Sequence, residues 1–127
     1  MNYSIIEDWK REGIVLNGPV NIDEMADCER FLDFNFPRDF KQFYLLCSGF
    51  AEAVMDSKML TLWPIIKIQW ENWDQAFISV ADYNVGSTNI GYIKGKEGIY
   101  RDYDEKKICD SFDEFLEHWQ KETFVYI

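Results

Sequence analysis

Over the first fifty residues apolar side chains recur at the spacing of helix faces, and beyond them the pattern shortens to that of strands. Residues 4–12 place Ile5, Ile6 and Trp9 on one side and stop at Gly13. After a Gly18-Pro19 turn, residues 22–33 form a second helical stretch. In the third, Phe40, Phe43, Tyr44 and Cys47 fall at i, i+3, i+4 and i+7, with Arg38, Lys41 and Gln42 opposite. Pro37 suits its first turn, where a missing N–H is no loss, and Gly49 suits a left-handed residue just past its end. A fourth helix over residues 112–122 carries Phe112, Phe115, Leu116 and Trp119 in one stripe. Ser4 before Glu7, Asn21 before Glu24 and Ser111 before Glu114 share the capping-box spacing, in which the cap oxygen takes an amide and the Glu reaches back.

Residues 60–63, 77–83, 90–94, 99–103 and 107–109 are short and rich in β-branched or aromatic side chains, as strands are. Residues 95–98 predict a hairpin and residues 104–106 a second turn, so neighbouring strands run antiparallel. Helices, then strands, then a closing helix predict a single α+β domain over residues 1–127. Its four helices would pack on an antiparallel sheet of about five or six strands.

Composition adds that rings dominate the packing, since 17% of the residues are aromatic within a 47% hydrophobic total. The acids in the first turns do not suit a signal peptide, and no apolar stretch approaches the roughly 18 residues a membrane span needs. A soluble, cytoplasmic protein is expected. Cys28, Cys47 and Cys109 are widely spaced and His118 is the single histidine, a set that suits buried reduced thiols and neither a metal nor another cofactor.

The net charge is −10, and the excess is uneven. Residues 1–39 hold nine acids and four bases, residues 102–122 eight and three, and residues 40–101 six of each. Such a surface repels phosphates and disfavours direct nucleic-acid binding, while it suits a basic protein partner or simple solubility.

Glu29-x-x-Leu32-Asp33-Phe34-x-Phe36-Pro37-x-Asp39-Phe40-Lys41-x-Phe43, ending at Cys47-Ser48-Gly49, resembles the pattern of the SMI1/KNR4 family of the SUKH superfamily. Leu62-Trp63 with Ile68 and Asn72, Phe77-Ile78 with Ala81-Asp82, and Asp110-Ser111-Phe112-x-Glu114-Phe115-Leu116 resemble its later segments in order. Asp33, Phe36 and Ser48 depart from the family's usual Gly, Leu and Asn, and Asp33 asks a non-Gly residue to make a turn that suits left-handed backbone. The resemblance implies helices on an antiparallel sheet. It also implies a binding rather than a catalytic role, because many bacterial members are immunity proteins that neutralise polymorphic or contact-dependent toxins, often nucleases. Other members are non-catalytic intracellular scaffolds or regulatory interaction modules.

Glu29 sits in the apolar stripe of the second helix and needs a partner. It is either an acid with a raised pKa or, as its place in the family pattern implies, a structural group holding backbone amides or a base. His118 lies between Glu114 and Glu122 and reads as a surface side chain rather than a proton-transfer group. The run GYIKGKEG lacks phosphate-loop spacing and reads as a hairpin. Trp70 and Trp73 suit a core, for at least one of them, or an exposed interface pair. Asp102, Asp104, Glu105, Asp110, Asp113, Glu114 and Glu117 are expected to form an acidic patch, joined by Glu52 and Asp56 and anchored by Trp70 or Tyr103. The expected partner is a cognate basic toxin domain, with no nucleic acid or membrane bound directly.

Overall fold

The computed structural model of the protein describes residues 3–123. The element order is α1 (Ile5–Arg11), α2 (Ile22–Leu32), α3 (Arg38–Tyr44), β1 (Leu60–Leu62), α4 (Ile65–Glu71), β2 (Phe77–Tyr83), β3 (Thr88–Ile93), β4 (Ile99–Arg101), β5 (Lys107–Cys109) and α5 (Phe112–Lys121). The class is α+β, and the five strands form one sheet in the order β1-β2-β3-β4-β5, each antiparallel to the next. One helix exceeds expectation. The two turns of α4 bury Ile68, while Ile66 and Trp70 stay exposed, so no apolar stripe announced them.

Capping follows the sequence at two of three sites. Asn21 accepts the Glu24 amide and Glu24 reaches back to Asn21, a complete capping box. Ser111 accepts the Glu114 amide, but the Glu114 carboxylate reaches one residue further back, to the Asp110 amide at 3.2 Å. Ser4 makes no cap bond, because its backbone is already helical and its hydroxyl instead accepts from Gln120 Nε2. Asp33 ends α2 at φ 52°, the left-handed turn expected of it.

Pro37 stands just before α3, with extended backbone, and the helix stops at Tyr44. Gly49 therefore lies four residues beyond the helix cap, Leu45. Its φ of +85° is left-handed as expected, and a Cβ there would also collide with the Trp63 carbonyl. Phe36, Phe40 and Tyr44 stack in a column, with ring centroids 4.3 and 4.2 Å apart. Tyr92 of β3 meets Phe40 edge-on, Phe112 of α5 does the same, and Tyr44 Oη donates to the Trp63 carbonyl at 2.6 Å. Leu32, Phe40, Phe43, Phe112 and Phe115 are all buried, so these residues of the family pattern serve the core.

Glu29 takes the structural role. Its carboxylate accepts the Phe36 amide at 2.7 Å and pairs with Lys41 Nζ at 3.1 Å, joining α2 to the start of α3.

Asp56 overturns its assignment to the acidic surface. It is 6% exposed, and its carboxylate accepts from Trp9 Nε1 at 3.1 Å, Trp119 Nε1 at 2.5 Å, and the amides of Lys58 and Leu60. A carboxylate so placed has four donors in place of water. It also joins the loop after α3 to α1 and α5.

Phe43→Ala should lower stability by roughly 3–5 kcal/mol in urea denaturation, because a fully buried ring is lost from the junction of α1, α3 and α5. Asp56→Ala should cost on the order of 3 kcal/mol in the same assay, since it strands two indole N–H groups and two amides. Asp56→Asn keeps one acceptor oxygen and should cost less.

Candidate functional site

The two faces of the sheet have different chemistry. Directly opposed residues of antiparallel strands share a face. Leu62 faces Ala81, which faces Ile90, and this row looks to the aromatic core. One position along, Thr61 faces Asp82 and Asp82 faces Asn89; the Asn89 amide donates to Asp102 Oδ1 at 3.0 Å. A polar row thus crosses four consecutive segments on the face away from the core.

Helix α4 packs beside α2 and β2, with Ile68 buried in the core and the Asn72 side chain tying its end to β2. Asn72 donates to the carbonyls of Ile68 and Ser79, both at 2.8 Å, and accepts the Ser79 amide at 2.9 Å. Ser79 lies at a bulge opposite Gly91, where a Cβ would collide with the Ile78 carbonyl. The strand backbones come close there, and Asn72 satisfies the groups that the bulge frees.

Two hollows border α4. One, of about 520 Å³, lies between the loop after α3 and the β2–β3 turn and includes Glu52, Met55, Lys67, Asp82 and Val85 in its lining. The other, of about 400 Å³, includes Gln75, Ser79, Asp102 and Glu105. Glu71 and Asn89 line both, so the two form one groove over the open sheet face. Its charged lining is Glu52, Glu71, Asp82, Asp102 and Glu105 against Lys67.

These acids differ in their commitments. Asp82 is buried and accepts from Trp63 Nε1 at 2.6 Å and the Gly86 amide at 3.1 Å, so it holds the groove floor. Asp102 accepts from Asn89. Lys67 holds its ammonium 4.5 Å from the centre of the Trp63 ring. Glu52, Glu71 and Glu105 are exposed, and their carboxylates have no hydrogen-bond or ion-pair partner among the described residues.

A model of the SMI1 / KNR4 family (SUKH-1) matches residues 19–118. The chain belongs to this family. No curated protein matches the sequence. The family match begins after α1, yet α1 supplies Trp9 to the Asp56 cluster that anchors one groove wall of this SUKH-1 domain.

The expected acidic patch divides. Glu52, Asp102 and Glu105 reach the groove, whereas Asp113, Glu114 and Glu117 lie on α5, which packs on α3 and β5 and does not line it. The acids outside the groove are matched locally. Asp104 takes two hydrogen bonds from Arg101, at 2.8 and 2.7 Å, and these hold its carboxyl down at about 2. Asp110 pairs with Lys107 and Glu117 with Lys121, and Asp113 accepts from Tyr3 Oη. Glu117 is also held below the usual carboxylate range, chiefly by Lys121. His118 contacts Glu114 and Thr123 and is half-buried. Tyr103 is exposed beneath the Arg101 guanidinium.

Trp70 and Trp73 are both exposed, at 62% and 59%, which corrects the expectation that one fills the core. Trp70 meets Phe31 of α2 edge-on at 5.1 Å. The glycine-rich run forms the β3–β4 hairpin, as read from its spacing. Glu71, Lys67, Met55 and Val85 were not singled out from sequence. Thr61, Asp82 and Asn89 share a face only through the strand register, which local sequence does not give.

Among the described residues no group of three or more His, Cys, Asp or Glu side chains gathers as metal ligands would, and no helix is long and apolar enough to cross a membrane. The three thiols are free and buried. Burial pushes Cys28 and Cys109 up to about 12, aided by Glu29 and Glu114 respectively, and raises Cys47 as well. None is a nucleophile near neutral pH. Iodoacetamide at pH 8 should therefore leave all three unmodified in the native protein and label them after denaturation, as read by mass spectrometry. Because the folded pKa values lie above the ordinary thiol value of 9.0, the unfolded chain loses these protons first. Stability should accordingly fall as the pH rises above about 9.

Proposed function

We propose that this chain is an immunity protein that binds a cognate bacterial toxin domain, a basic nuclease, and neutralises it by occupying its phosphate-binding surface. Membership of the SMI1/KNR4 family supports a binding role of this kind. The observation that carries the reading is the acidic groove, where Glu52, Glu71 and Glu105 are exposed on an open sheet face and lack partners of their own. Unmatched carboxylates repel one another and gain most from a cation that the protein itself does not supply. A nuclease presents such cations to its substrate, so an acidic face can be drawn to the same surface and cover it. Exposed aromatics close by in the sequence, Trp70 and Trp73, supply the apolar anchors that charge alone does not.

The test is co-expression with the C-terminal domain of the product encoded next to this gene, together with association kinetics on the purified pair. Growth should be protected at one-to-one stoichiometry, and raising the salt should slow association. Glu71→Lys with Glu105→Lys should weaken binding by about tenfold or more, while Arg38→Glu on the opposite side of α3 should leave it unchanged. Equal binding by both variants would remove the acidic groove from the account. Recovery of non-toxic host proteins alone, without protection, would point to a scaffold or regulatory module.

A further inference from the structure

The wall of the groove opposite Met55 is made by the β2–β3 turn, a tight hairpin turn closed by the Ser87 amide, which donates to the Asn84 carbonyl at 3.3 Å. Asn84, Val85 and Gly86 all have left-handed backbone, with φ of 51°, 55° and 81°. Asparagine and glycine tolerate this region; a β-branched valine does so at a cost. Val85 is also 82% exposed, so no packing within the chain offsets that cost. Asp82 holds the turn in place through the Gly86 amide. Met55 and Val54, on the loop across the groove, are exposed as well.

The open sheet face therefore offers two apolar walls over an acidic floor and rim. Charge complementarity selects the occupant: the lining bears five carboxylates against one ammonium, and that ammonium already lies on Trp63. We infer that the groove takes an extended, basic segment of the partner protein, with an apolar side chain seated between Val85 and Met55 and Arg or Lys side chains on Glu52, Glu71 and Glu105. Val85 is then an interface residue: the hairpin turn itself calls for left-handed backbone, but not for an exposed, β-branched apolar side chain. The inference rests on the toxin-binding reading for the identity of the partner, while the groove's preference for such a segment is testable without it.

The experiment is an amide-resolved NMR titration of the full chain with two synthetic peptides, acetyl-Arg-Val-Arg-Val-Arg-amide and acetyl-Arg-Gly-Arg-Gly-Arg-amide. The valine peptide should shift the amides of Thr61, Asp82, Asn89 and Asp102 and bind several-fold more tightly than the glycine peptide. Glu71→Gln with Glu105→Gln should weaken it by about tenfold. Val85→Asn should raise the melting temperature, because asparagine accepts left-handed backbone, and should abolish the preference for valine over glycine. Shifts confined to α5, around Asp113 and Glu117, would overturn the inference, as would an unchanged preference in Val85→Asn. Groove binding without protection from the neighbouring toxin would count against the immunity reading alone. Protection that survives both groove variants would count against the groove alone.

Discussion

The carboxylate of Asp56, enclosed by the indoles of Trp9 and Trp119, joins parts of the chain that the sequence sets far apart. Burying an ionised carboxylate is unfavourable unless donors replace its water, and here two ring N–H groups and two amides do so. Those donors come from the first helix, the last helix and the loop itself, so they converge only when all three are packed. The same loop covers the outer edge of β1: Phe50 donates to the Leu62 carbonyl, Asp56 to Leu60, and Thr61 Oγ1 to Val54. The edge strand is thereby closed to pairing with another chain, and Glu52 and Met55 are held as a groove wall.

The aromatic column of α3 works through area rather than direction. Phe36, Phe40 and Tyr44 cover a wide stretch of the core, and Tyr92 and Phe112 complete the contact from the sheet and from α5. Helix α4 adds Ile68 to this core and packs beside α2 and β2. The groove runs over the sheet face turned away from that core, with Glu71 of α4 lining both of its hollows.

The acidic excess near the C-terminus does not form one surface. Three of the eight acids in residues 102–122, Asp104, Asp110 and Glu117, pair with a local base, because i, i+3 and i, i+4 neighbours meet on helices and in tight turns. Pairing of that kind lowers the field a partner would feel. The groove acids come from four different segments of the chain, and only Asp102 and Glu105 belong to the acidic stretch of residues 102–122. Their summed field arises mainly from juxtaposition of distant segments.

Local chemistry accounts for what could be read in one dimension. The periodicity of Phe40, Phe43 and Tyr44, the capping box of Asn21 and Glu24, the hairpin after β3 and the left-handed turn at Asp33 depend on residues a few positions apart, so their spacing sufficed. Glu29 was legible too, as an acid in an apolar stripe that needed a partner. Asp56 was not, because its place beside Trp9 and Trp119 requires contacts 47 and 63 residues away. Nor was α4, whose apolar residues do not share a face and which is held on the sheet by Asn72. The exposure of Trp70 and Trp73 and the gathering of Glu52, Glu71 and Glu105 follow from where that helix sits. Folding decided these features because side chains distant along the chain must meet before their charge, burial or strain has meaning.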